Sequence, residues 1–229
     1  MIGQDFEKIH FDIWGFHFLE PNALIGDLLL FSIAFYFSLK IKKYNSQHPF
    51  YKNWRRFYFI FSLSFLIGGI GHFCFNYLGL WGRYPSWIFG MLSTYFICLA
   101  QISLWPKQNQ QQRFKNLAAA LLLIGIALEI YVFNTRNLSM DQSKGLTIPS
   151  IISGLGLIFS LFILGLYYQR TIHPQFKFFW IAVLTLLPNA FIQSQKLNLA
   201  PWFDRNDFGH VLLAISLFLY WKGIEAYKG

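Results

Sequence analysis

Apolar residues gather in seven long stretches separated by short polar interruptions, and this pattern organises the chain. A helix needs about 20 mostly apolar residues to cross the hydrocarbon core of a bilayer. Stretches of that kind lie near 22–41, 57–80, 86–106, 116–134, 148–168, 176–195 and 207–226. The breaks between them fall at residues that start or stop helices. Glu20-Pro21-Asn22 precedes the first stretch, Trp105-Pro106 closes the third, and Ile148-Pro149 and His173-Pro174 open the fifth and sixth. Proline fits the first turn of a helix, where its missing N–H costs nothing. The pattern predicts an all-α polytopic membrane protein, a single seven-helix domain over residues 1–229.

Composition agrees. Hydrophobic residues make up 55% of the chain and charged residues 13%, against about 25% charged in soluble globular proteins. The 27 phenylalanines suit a surface that faces lipid. Cys74 and Cys98 both sit inside apolar runs and give no evidence of a disulfide framework or a thiolate zinc site. Four acids stand among the first 20 residues (Asp5, Glu7, Asp12 and Glu20), so the chain does not begin as a cleavable signal peptide does.

The net charge of +9 is a topology signal rather than a nucleic-acid signal. If the N-terminus is outside, 13 of the 19 Lys and Arg residues fall on the inner side, among them Lys42, Lys52, Arg55, Arg56, Arg113 and Lys115. The positive-inside rule therefore predicts an N-outside, C-inside protein of the bacterial inner (plasma) membrane. Its expected partners are membrane lipids, including a lipid substrate or ligand; no nucleic acid is expected, and the oligomeric state is left open. Trp81, Trp87, Trp105, Trp202 and Trp221 lie near span ends, where an aromatic belt belongs.

Applied to the polar residues within the spans, this topology sorts them by depth. Asp27, His72, Asn76, Glu129, Asn189, Gln193, Asp207 and His210 all fall in the outer half of the bilayer. Ionisable groups in a span are costly unless paired, hydrated or bound. A shared cavity opening outward accounts for the sorting. Each residue also has a structural reading. Asp27 suits an early helical turn, and His72 can be a hydrogen-bonded core histidine. Glu129 can face water at the interface, Asn189 can repair a helix kinked at Pro188, and Asp207 can answer a helix dipole. The other histidines, His10, His17, His48 and His173, fall in loops.

Asp207 and His210 are three apart, on one face of a helix. With His72 they offer nitrogen and oxygen ligands suited to zinc, which in catalytic sites takes three protein ligands and a water. Zinc would lower the pKa of that water to near neutral. Asp27 would manage protons, while Asn76 and Asn189 would polarise a carbonyl oxygen. The chain has no His-Glu-x-x-His, Gly-x-Ser-x-Gly or phosphate-binding loop.

Four stretches resemble the seven-span CREST superfamily of alkaline ceramidases, adiponectin-receptor-like and Per1-like proteins. Glu20-Pro21-Asn22 is similar to the Glu-Pro-Asn stretch of the ceramidases. Gly69-Ile70-Gly71-His72-Phe73-Cys74-Phe75-Asn76 resembles their Gly-x-Gly-Ser-x-x-x-His segment. Pro188-Asn189 falls where their sixth span carries a polar group. Asn206-Asp207-Phe208-Gly209-His210 takes the place of their His-x-x-x-His. His210 matches the second histidine of that motif, Asn206 stands at the first, and Asn76 stands at the span-two histidine. The resemblance implies an intramembrane, metal-dependent hydrolase of a lipid amide or ester. The alternative is a non-enzymatic protein that binds a lipid or small ligand in the same cavity, as a receptor or transport component.

Overall fold

The computed structural model describes residues 3, 5–44, 47–136 and 145–227; of the residues in the charge count, Lys144 and Lys228 lie outside them. Two short strands, β1 (His10–Ile13) and β2 (Phe16–Leu19), pair antiparallel, His10 opposite Leu19 and Ile13 opposite Phe16. Trp14 and Gly15 form the turn between them, both with positive φ. A two-residue hairpin turn with positive φ at both positions matches the twist of its strands. This hairpin is an addition to the expected all-α architecture.

The helices begin where proline or a cap permits. Helix α1 (Pro21–Ile41) starts on its proline. Helix α2 (Pro49–Phe73) has Pro49 in its first turn, and the His48 ring accepts a hydrogen bond from the Phe50 amide. The break at the end of α2 corrects the expected second span, which ran to residue 80. Gly71 lies so close to the backbone of Gly82 that no Cβ would fit there. The chain turns back at Cys74 through α3 (Phe75–Leu78) and a 3-10 turn (Gly79–Gly82). Asn76 is thereby removed from the helix that carries His72.

Helices α4 (Tyr84–Ile102) and α5 (Gln108–Thr135) follow. The fifth span is continuous from Thr147 to Thr171 but has three parts: α6 (Thr147–Leu157), a π-helical stretch (Ile158–Ile163) and α7 (Leu164–Thr171). Helix α8 (Lys177–Ser194) carries Pro188 within it. Helix α9 (Arg205–Ala226) starts on a capping box: Asp204 accepts from the amides of Asn206 and Asp207, and Asp207 accepts from the amide of Asp204. Reciprocal capping of this kind satisfies N–H groups that the first turn leaves open.

Six of these segments are long and apolar enough to cross a membrane. Helix α9 has the length, but Arg205, Asp207, Lys222 and Glu225 make it less apolar. Helix α2 packs between α1 and α4, α9 packs on α8 and α1, and α4 also meets α5 and α6.

One end of the bundle is an aromatic core. Phe37 stacks on Trp221 at 5.0 Å and Trp54 on Phe179 at 5.3 Å. Tyr58 and Tyr168, both fully buried, donate their hydroxyls to the carbonyls of Leu217 and Gln101. A buried tyrosine brings large apolar area but needs a partner for its O–H, and these backbone carbonyls provide it. The polar groups gather at the opposite end.

Candidate functional site

The polar end is built in two storeys. The upper one centres on Glu20, which lies between β2 and α1 with φ 50 and ψ 54. A left-handed backbone costs a non-glycine residue about 1–2 kcal/mol. That conformation directs a nearly buried carboxylate at two cations, Lys8 and Arg83, and at the His72 ring. Oε1 faces Lys8 Nζ at 3.1 Å, and Oε2 faces His72 Nδ1 at 2.9 Å and Arg83 Nη2 at 2.7 Å. Burial alone would raise the Glu20 pKa. The hydrogen bond with His72 and the charges of His72, Arg83 and Lys8 outweigh it and hold the carboxyl well below the usual carboxylate range.

Around this node lies a cavity of about 350 Å3. Its charged walls come from Asp5, Glu7, Lys8, Glu20, Arg83, Asp204 and Arg205. Arg205 in turn pairs with Asp5 at 3.2 Å, tying the N-terminal segment to the start of α9. Asn198 accepts from the Arg205 amide. Gln193 donates to the Arg205 carbonyl, joining α8 to α9.

The lower storey is the Asp27–His210 pair. His210 Nε2 stands 3.1 Å from Asp27 Oδ1, with both side chains largely buried. His210 Nδ1 is 3.9 Å from Asp207 Oδ1 and has no hydrogen-bond partner among the described residues. The approach depends on Gly26, because a Cβ there would overlap the imidazole. Gly69 plays the same part for Asp27, whose Cβ would be 2.9 Å from an added methyl. Asp207 accepts from Asn22 Nδ2 at 3.1 Å and from the Asp204 amide at 2.9 Å. Asn189 Oδ1 faces Gly209, buried and without a hydrogen-bond partner among the described residues.

The expected site residues therefore separate. Asp27, Asp207, His210 and Asn189 come together on α1, α8 and α9. His72 belongs to the Glu20 storey. Asn76 is exposed at the rim and donates to the His17 carbonyl of β2 at 3.0 Å, so the hairpin uses it as an anchor. Among the described residues, no three His, Cys, Asp or Glu side chains form a group that could hold a metal ion. Two of the loop histidines act as caps: His48 on α2 and His173, which accepts from the Gln175 amide.

Sequence reasoning passed over Glu20, Lys8 and Arg83 as site residues. Glu20 entered as an N-terminal acid and as part of the Glu20-Pro21-Asn22 stretch, and the two cations as outer-side charges. Glu20 is the outer-side acid that directly precedes a span, a sign that it is held at the bilayer edge and needs partners.

Glu129 stands apart. It is fully buried on α5, and neither carboxylate oxygen has a hydrogen-bond partner among the described residues. A water-facing position does not describe it. A buried polar group left unpaired costs about 1–3 kcal/mol. Glu129→Leu is therefore expected to raise the melting temperature in detergent, by an amount corresponding to about 1–3 kcal/mol. A fall would mean that the carboxyl has a partner the geometry does not reveal.

Residues 23–228 match the model of a family of unknown function, DUF6962, and the chain belongs to that family. Comparison with curated proteins gives no match, and comparison with solved structures gives none. The resemblance to the CREST superfamily rests on its sequence motifs alone.

Proposed function

We propose that this member of the family is a seven-span protein, N-terminus outside, that binds a small zwitterionic ligand or lipid headgroup in its outward cavity. The observation that carries the reading is the convergence of Asp27, Asn189, Asp207 and His210 beneath a cavity whose walls bear both signs of charge. Lys8, Arg83 and Arg205 can meet an anionic group, and Glu20 and Asp204 a cationic one. Convergent polar groups in a concave site are the usual mark of small-ligand recognition. The uneven Lys and Arg distribution supports the orientation.

Binding is favoured over hydrolysis by how the histidines are used. His210 turns Nε2 to Asp27 and buries Nδ1 against Gly26, so neither nitrogen is offered to a water in the cavity. His72 Nδ1 is engaged by Glu20. A zinc site at His72, Asp207 and His210 would need the two histidines, which lie in separate storeys, brought together.

The test is a thermal titration of detergent-purified protein with glycerophosphoethanolamine. A ligand at about 100 times its Kd adds about 2.7 kcal/mol of stability. Saturable stabilisation is expected in the wild type, with loss of response in Arg205→Gln. No response to this or other zwitterionic head-group analogues would overturn the reading. Stoichiometric zinc in the purified protein, lost in His210→Ala, would restore the hydrolase.

A further inference from the structure

At the end of the bundle away from the polar site, α1 and α2 enclose a groove of about 520 Å3. Each helix contributes one stripe at the spacing i, i+3, i+4, i+7, which is one face of an α-helix. The α1 stripe is Phe35, Ser38, Leu39 and Lys42; the α2 stripe is Lys52, Arg55, Arg56 and Phe59. The helices are consecutive and antiparallel, so the two stripes run in opposite directions. Lys42 therefore meets Lys52 near the connecting loop, and Phe35 meets Phe59 toward the middle of the bundle. The groove is cationic at its mouth and apolar along its length.

The cations at the mouth have no acid among the described residues to neutralise them. Among the described residues, the acidic side chain at this end of the bundle is Glu225, which stands 3.6 Å from Lys222. Lys42, Lys52, Arg55 and Arg56 take part in no ion pair among the described residues. Arg56 reaches, among the described residues, Asn53 Oδ1, at 3.5 Å, and the face of Phe96. Arginine forks recognise phosphate oxygens in bidentate fashion. An apolar wall running from such a cluster into the bilayer is what an acyl chain requires.

We infer that this groove is a binding site for an anionic glycerophospholipid. Its phosphate sits among Lys42, Lys52, Arg55 and Arg56, and one acyl chain lies against Phe35, Leu39 and Phe59. The site is independent of the cavity at the opposite end. Basic residues beside a membrane attract anionic lipid in general, at about 1 kcal/mol each. This groove, by contrast, forms a discrete, saturable site.

The experiment is native mass spectrometry of the detergent-purified protein titrated with dioleoyl phosphatidylglycerol, dioleoyl phosphatidylcholine or inorganic phosphate. Phosphatidylglycerol is expected to bind saturably and about tenfold or more tighter than phosphatidylcholine. Arg55→Gln/Arg56→Gln is expected to abolish that preference, while Lys107→Gln/Arg113→Gln, which removes two charges elsewhere on the same side, retains it. Leu39→Trp, which fills the apolar wall and keeps every charge, is expected to weaken the lipid and not phosphate. Equal binding of the two lipids, or equal loss of preference in both double variants, would overturn the inference. Phosphate binding as tightly as the lipid would overturn the acyl-chain assignment.

Discussion

Glu20→Gln is expected to destabilise the protein by about 3–5 kcal/mol, the cost of removing one partner from a buried ion pair. The substitution keeps the size of the side chain and removes its charge. Arg83, slightly more buried than Glu20, is then left without its carboxylate, as is His72. Glu7→Gln is the control, because Glu7 is exposed and surface changes usually stay within about 0.5 kcal/mol. Replacing Glu20 and Arg83 together, by Gln at both positions, should recover part of the loss. Thermal unfolding in detergent measures all three. Glu20→Gln melting together with Glu7→Gln would mean that the node contributes nothing.

The same node sets a pH dependence. The Glu20 carboxyl is held below its ordinary value of 4.5 in the folded protein. A carboxylate with a depressed folded pKa contributes stability that is fully present above its unfolded pKa and lost as pH falls through the folded value. Stability should therefore decline progressively below pH 4.5, and Glu20→Gln should flatten that decline.

The second large effect is expected at a residue with no side chain. Gly26→Ala places a methyl where the His210 imidazole lies. The ring has to move away from Asp27, which leaves that carboxylate buried and unpaired. Overpacking of this kind costs about 1–3 kcal/mol. Response to glycerophosphoethanolamine should fall with it, although no polar group has been altered. Ile25→Ala is the neighbouring control, since Ile25 is 63% exposed on the lipid side.

A double-mutant cycle separates steric from chemical loss. His210→Ala removes the ring that the new methyl would strike. Gly26→Ala should then add little to His210→Ala, although it is costly alone. Strict additivity would show that Gly26 and His210 do not meet.

Much of the architecture was legible because hydropathy records the bilayer directly. Pro21 and Pro174, read as helix starts, each stand in the first turn of a helix. The depth sorting grouped Asp27, Asp207 and His210, and these three lie together in the fold. Pairing was not legible. Asp27 faces His210 because Gly26 and Gly69 let three helices approach there, and helix rotation decides such contacts more than sequence spacing does.

Asn76 shows the opposite limit. Its distance of four residues from His72 implied one helical face, but the close contact of Gly71 and Gly82 ends the helix between them. The hairpin was readable in principle. His10-Phe11-Asp12-Ile13 and Phe16-His17-Phe18-Leu19 show partial alternation around Gly15, a pattern too short to stand out beside seven apolar stretches.

The π-helical stretch at Ile158–Ile163 acts as a phase shift within a single span. An α-helix turns about 100° per residue, and a π turn absorbs one extra residue without ending the helix. Upstream, Gly156 meets Thr94 of α4. Downstream, the Tyr168 hydroxyl reaches the Gln101 carbonyl of the same helix, at its other end. Closing the stretch into plain α-helix with no residue removed would leave the first contact in place and swing Tyr168 about 100° around the axis, away from Gln101. The span would keep its length and apolar character and lose its alignment.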